Sequence, residues 1–301
     1  MANASLTSPG SPGTLVTPNG KGQAGRAMRI HPVAAILVAL GWPMMGFFLV
    51  LVANKALGLQ VPRLVGAIGN LFVGAFGLFL LFPKLYRAPF GPTPLSTYLL
   101  RIGFYPPARA WRHVLLGIVL AGCTLSGMLA ASLLTGRYTL DWSTVNLTHF
   151  VFSLNPGIFE EAFYRGIMVM LLLPLTRSLG RALGLQIALF GLAHIKGTDG
   201  LALVDAFSVM VIAAAFTYSA YKTRALLAGM VFHFLHDAFL FFVQVPGGVY
   251  KGLQENVVFY SLLWAMVGGA CVSIWYASER LNVRAERQLY QVAASAGAAA
   301  P

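Results

Sequence analysis

Apolar residues gather into eight runs along the chain, near 33–54, 65–83, 113–135, 146–174, 179–196, 201–221, 225–245 and 256–277. Each is close to the roughly 20 residues an α-helix needs to cross the hydrocarbon core of a bilayer. No water satisfies an irregular backbone in lipid, so this pattern predicts a helical bundle. The alternation of a barrel strand is missing. The expected fold class is all-α, a polytopic membrane helical bundle of about eight transmembrane helices.

Polar segments set the boundaries. Residues 1–30, rich in Ser, Thr, Pro and Gly, carry no apolar run and read as a disordered cytoplasmic tail without a cleavable signal peptide. Residues 31–279 form the bundle, and 280–301 fade into an Ala-rich cytoplasmic tail. The longest internal connection, Lys84 to Arg112, contains Pro92, Pro94, Pro106 and Pro107 and is expected along the interface, partly as a short amphipathic helix. No internal repeat is visible.

Composition agrees with this picture: of 301 residues, 57% are hydrophobic and 10% charged. The net charge of +12 could indicate nucleic acid, but its distribution indicates a membrane instead. With the N-terminus inside, fifteen Lys and Arg fall in cytoplasmic segments, including Lys84, Arg101, Arg112, Arg177, Arg181, Lys222, Arg224 and Arg280. Five fall outside: Lys55, Arg63, Arg137, Lys196 and Lys251. That asymmetry is the positive-inside pattern, with both termini cytoplasmic. The cationic excess then serves orientation and anionic lipid rather than nucleic acid. Cys123 and Cys271 lie in separate runs, and neither has metal-ligand spacing.

The polar residues inside the runs carry the candidate chemistry. A charge at the centre of a membrane helix costs about 2.5–3.5 kcal/mol, yet Glu160, Glu161 and Arg165 crowd into the fourth run. Asn155-Pro156-Gly157 precedes them as a helix-start signal, which predicts a fresh or kinked helix and a wet cavity beside it. Glu161 and Arg165 have the favourable i,i+4 order for an ion pair. Glu160, rotated by about 100°, is left to face a site. A single packing network of all three is the plainer alternative. His233 and Asp237 share a helical face, with His236 close to it, and His194 ends the fifth run. Asp205 is expected near the outer end of its helix, solvated and outside the site. Glu160, His194, His233 and Asp237 together could activate water and hold an oxyanion. Gly-x-Ser-Gly, His-Glu-x-x-His and Gly-x-Gly-Asp patterns are all missing.

Glu160-Glu161-x-x-x-Arg165, Phe190-x-x-x-His194 and His233-x-x-x-Asp237, in that order on successive helices, resemble the CPBP family. These are the CAAX prenyl protease and bacteriocin-processing (Abi) intramembrane endopeptidases, and the resemblance covers about 145–245, including the approach Thr223-Arg224-Ala225-Leu226-Leu227. It implies that Glu160 activates the attacking water with His194, while His233 and Asp237 hold the oxyanion. Glu161, Arg165 and Phe190 would be supporting residues. It leaves open a metal-free glutamate mechanism and a Zn2+ site of Glu160, His194 and His233. Asp237 stands where many members carry Asn, which puts its direct oxyanion role in question. The implied partners are a membrane-associated protein or peptide substrate and the lipid bilayer, in a bacterial plasma membrane. From the residues alone two other readings stand: a proton-coupled transporter using these groups as a relay, and a non-catalytic scaffold.

Overall fold

The computed structural model describes residues 31–85, 94–107, 109–135, 139–140, 146–195, 200–240 and 243–244, and eight helical positions between Ser261 and Tyr276. Both predicted tails, and most of the eighth run at 256–277, lie outside the described residues. The rest is helical: α1 (Pro32–Ala56), α2 (Arg63–Leu85), α3 (Leu95–Arg101), α4 (Ala110–Thr135), α5 from Leu147 to Thr176, α6 (Leu179–Leu192), α7 (Gly200–Thr223) and α8 (Leu227–Leu240). The strand content among these residues is one antiparallel pair, β1 (Thr139–Leu140) with β2 (Val243–Gln244). Val33–Ala56, Arg63–Leu85, Ala110–Gly127 and Ala202–Thr223 are each long and apolar enough to cross a membrane. α6 and α8 are shorter apolar helices. The chain is a helical membrane bundle.

Local chemistry explains several boundaries. α1 opens on Pro32, whose missing N–H is no loss in a first turn, and His31 Nδ1 accepts from Val33 N at 3.3 Å. Ser178 caps α6 by accepting from Arg181 N. The connection from Lys84 does contain the expected short helix, α3, but it is packed inward, with Tyr98 and the following Ile102 both fully buried.

α5 does not make the fresh start that was one of the two sequence expectations. No helix starts at Asn155, whose φ of −63° and ψ of −58° are already helical and whose side chain caps nothing. The cap is Asn146, accepting from His149 N at 3.2 Å. From there the helix runs unbroken through Pro156, switching to π geometry over Pro156–Met168 and returning to α over Val169–Thr176. Proline's fixed φ fits a helix, and only its missing N–H disturbs the ladder. Widening to i→i+5 bonding absorbs that defect without ending the helix.

This widened stretch is the centre of the bundle. Every residue from Phe159 to Leu173 is buried, as expected of a helix enclosed on all sides. It packs against α1, α2, α6, α7 and α8. Tyr164 donates its hydroxyl to Leu40 O at 3.1 Å, tying α5 to α1, and Phe163 meets Phe82 of α2 at 5.2 Å. At one end of the bundle the α3–α4 connection is bonded to the α7–α8 turn, through Leu226 N to Gly103 O and Tyr105 Oη to Arg224 O, both at 3.0 Å.

Candidate active site

Two glycines let α5 and α8 approach closely. A β-carbon at Gly157 would fall 2.8 Å from Phe234 Cβ, and one at Gly229 would fall 2.9 Å from Glu161 Oε2. Small residues play this part where membrane helices must touch. The close approach brings Glu161, of α5, against His233, of α8.

Glu161 holds two partners at once. Its Oε1 accepts from His233 Nδ1 at 2.8 Å and lies 3.2 Å from Arg165 Nη1. Both Glu161 and Arg165 are completely buried. The Arg165 guanidinium also sits 4.1 Å over the Phe190 ring and 5.0 Å over that of Phe216, a cation–π cradle that compensates part of its lost hydration. Phe216 in turn stacks on His233, with centroids 4.5 Å apart and planes at 24°. The His233 ring is thus fixed on one edge by a carboxylate and on one face by an aromatic. Its other nitrogen, Nε2, lies 3.8 Å from Asp237 Oδ1, an ion-pair distance too long for a hydrogen bond.

Glu160 lies beside that knot. It lines a cavity of about 350 Å3, together with His194, His233 and Asp237. All four residues singled out from the sequence therefore meet one space, although they come from α5, α8 and the turn after α6. Phe190, also singled out, lines it too. His194 is oriented by its own helix: Nδ1 lies 2.7 Å from Phe190 O. A carbonyl oxygen only accepts, so Nδ1 carries the proton and a neutral His194 has an acceptor at Nε2. The walls are apolar and aromatic, from Phe47, Phe152, Phe190, Phe216, Val209 and Ile212. A few polar groups in an apolar concavity is the usual composition of a reactive site.

Two features were not visible in the sequence. The tie from Glu161 to His233 joins residues 72 positions apart. Phe47 reaches the cavity from α1, the far end of the chain. His236, which the sequence already placed close to the His233–Asp237 face, also lines the cavity and is buried.

The donor set was also tested against a metal ion. Among the described residues, no group of three His, Cys, Asp or Glu side chains is arranged to hold one. His233 Nδ1 is committed to Glu161, which leaves only Nε2 to offer. As arranged, Glu160, His194 and His233 do not fit the zinc site that the resemblance left open.

Residues 141–239 match the Rce1-like family model, described as type II CAAX prenyl endopeptidase Rce1-like. The match spans the helices that carry Glu160, His194, His233 and Asp237, and it bears out the resemblance to the CPBP family. No curated protein and no solved structure matches the chain.

Proposed function

We propose, from the premise that this chain carries an Rce1-like endopeptidase domain, that it is an intramembrane protease in which Glu160 activates water. The observation that carries the reading is the convergence of Glu160, His194, His233 and Asp237 on one aromatic-walled cavity. In this mechanism a water sits between the Glu160 carboxylate and His194 Nε2. Both accept its hydrogens, which turns a lone pair toward the peptide carbonyl. Glu160 takes one proton as the oxygen adds to the carbonyl carbon.

The tetrahedral oxyanion then needs a donor. His233 gives Nδ1–H to Glu161, so donation from Nε2 requires the doubly protonated ring, and Glu161 and Asp237 flank it as counter-charges. Asp237 is thereby a partner of His233 rather than a direct oxyanion donor, which accounts for an acid where many CPBP members carry an amide. Glu160 finally returns the proton to the leaving nitrogen as the C–N bond breaks. The substrate is a membrane-associated protein or peptide.

The test is cleavage of a quenched fluorescent peptide by purified protein in detergent. Glu160→Gln is expected to lower kcat by about 10²–10⁴-fold, the usual contribution of a positioned acid–base group, with unchanged thermal unfolding. Unimpaired cleavage by that variant overturns the mechanism. Chelation with 1,10-phenanthroline is expected to leave wild-type activity intact. Loss restored by added zinc would return the chemistry to a metal.

A further inference from the structure

The reactive cavity has a definite position along the bundle axis. On α5, α6 and α8 its lining residues extend toward the ends opposite the basic loops, while on α7 they run from Val209 down to Phe216, about 10 Å from Thr223 at the basic end. Arg177 and Arg181 flank the start of α6, whereas His194 follows its last turn, about 21 Å further on. On α8, which starts next to Arg224, His233 lies about 9 Å and Leu240 about 20 Å along the helix. On α5, Phe152 and Glu160 precede the buried Gly166, whose β-position would meet Ile102 O of the basic connection at 2.7 Å. The hydrogen bonds from Leu226 N to Gly103 O and from Tyr105 Oη to Arg224 O hold the α3–α4 and α7–α8 connections together at that basic end.

Exposure along the α8 lining rises in the same direction. His233, nearer the basic end, is only 5% exposed, and Leu240 is 41% exposed. Between them, the Asp237 side chain is 27% exposed. The floor of the cavity on the basic side is lined by Phe190 and Phe216, backed by the buried Glu161–Arg165 pair. The mouth therefore lies at the end of the bundle opposite the basic connections.

Lys and Arg in short loops stay on the cytoplasmic side of a membrane. Lys84, Arg101, Arg109, Arg112, Arg177, Arg181, Lys222 and Arg224 all belong to the basic end. We propose that the cavity opens to the extracytoplasmic face, so the substrate is an extracytoplasmic or outer-leaflet segment of a membrane-anchored or exported polypeptide. A cytosolic C-terminal tail would have to pass the Glu161–Arg165 floor to reach Glu160. This inference rests on the protease reading for the word substrate, but the direction of the mouth does not depend on activity.

The experiment uses full-length protein in the membrane of intact cells, with Cys123→Ser and Cys271→Ser as background and a membrane-impermeant maleimide as probe. Leu240→Cys, at the mouth, is expected to label in intact cells. Arg181→Cys, at the basic end, is expected to label only after permeabilisation. Leu147→Cys, 67% exposed at the start of α5, is a second outer probe should the Leu240 variant not accumulate, and it should behave as Leu240→Cys. The reverse pattern overturns the proposal, as does a Leu240 thiol that stays unlabelled even in detergent. Adding Glu160→Gln should leave the pattern unchanged, so a wrong orientation and a wrong mechanism give different failures.

Discussion

Glu161 does the most structural work of any single residue in the site, because one carboxylate oxygen serves both His233 and Arg165. Removing its charge takes away the carboxylate 3.2 Å from the completely buried Arg165 cation, which also lies over the Phe190 and Phe216 rings. Breaking a buried pair in this way costs about 3–5 kcal/mol. Glu161→Gln is therefore expected to unfold more easily by about that amount and to lose activity as His233 loses its anchor. Thermal unfolding of the purified variant checks this, and stability equal to wild type would show the pair to be dispensable. The contrast with Glu160→Gln, expected to be inactive yet stable, separates the two adjacent acids. The pairing of Glu161 with Arg165 was legible in the sequence, since i,i+4 spacing decides it locally. The bond to His233 was not, because only the packing of α5 against α8 creates it.

Helix α5 shows how an element can carry a start signal and ignore it. Asn155-Pro156-Gly157 predicts a fresh or kinked helix; no fresh helix starts there, because the π stretch Pro156–Met168 takes up the missing N–H and keeps the helix whole. Propensity is a local preference, and burial of every residue from Phe159 to Leu173 outweighs it. The two glycines of the α5–α8 seam should then respond differently to the same methyl group. At Gly157 the new β-carbon meets Phe234 Cβ and backbone, which cannot swing away. Gly157→Ala is expected to cost about 1–3 kcal/mol of stability, as overpacking does. At Gly229 it meets only the tip of the Glu161 side chain. Gly229→Ala is expected to fold nearly as stably as wild type but to cleave more slowly, because the displaced carboxylate no longer holds His233. Unfolding midpoints and kcat measured on the same two preparations check the contrast, and equal effects on both quantities at both sites would refute it.

For the whole molecule, the eight-run pattern and the resemblance both led to a helical membrane bundle carrying an endopeptidase domain, which the helices and the match over residues 141–239 support. The apolar runs were readable because each transmembrane helix must satisfy lipid by its own composition. A cavity beside the glutamates was readable, but its walls were not, since they draw Phe47 from α1 and Phe216 from α7 into contact with groups from α5 and α8. Those contacts depend on how the bundle closes, and residue spacing within one helix does not determine that. The central claim is that Glu160 acts on water and never on the substrate carbon. Its most direct test is a single-turnover cleavage in H2(18)O, with mass spectrometry of both the peptide product and the Glu160 peptide of the enzyme. The account predicts the heavy oxygen in the new carboxyl terminus of the product and none in Glu160; label in the Glu160 carboxylate would reveal an acyl-enzyme and contradict it.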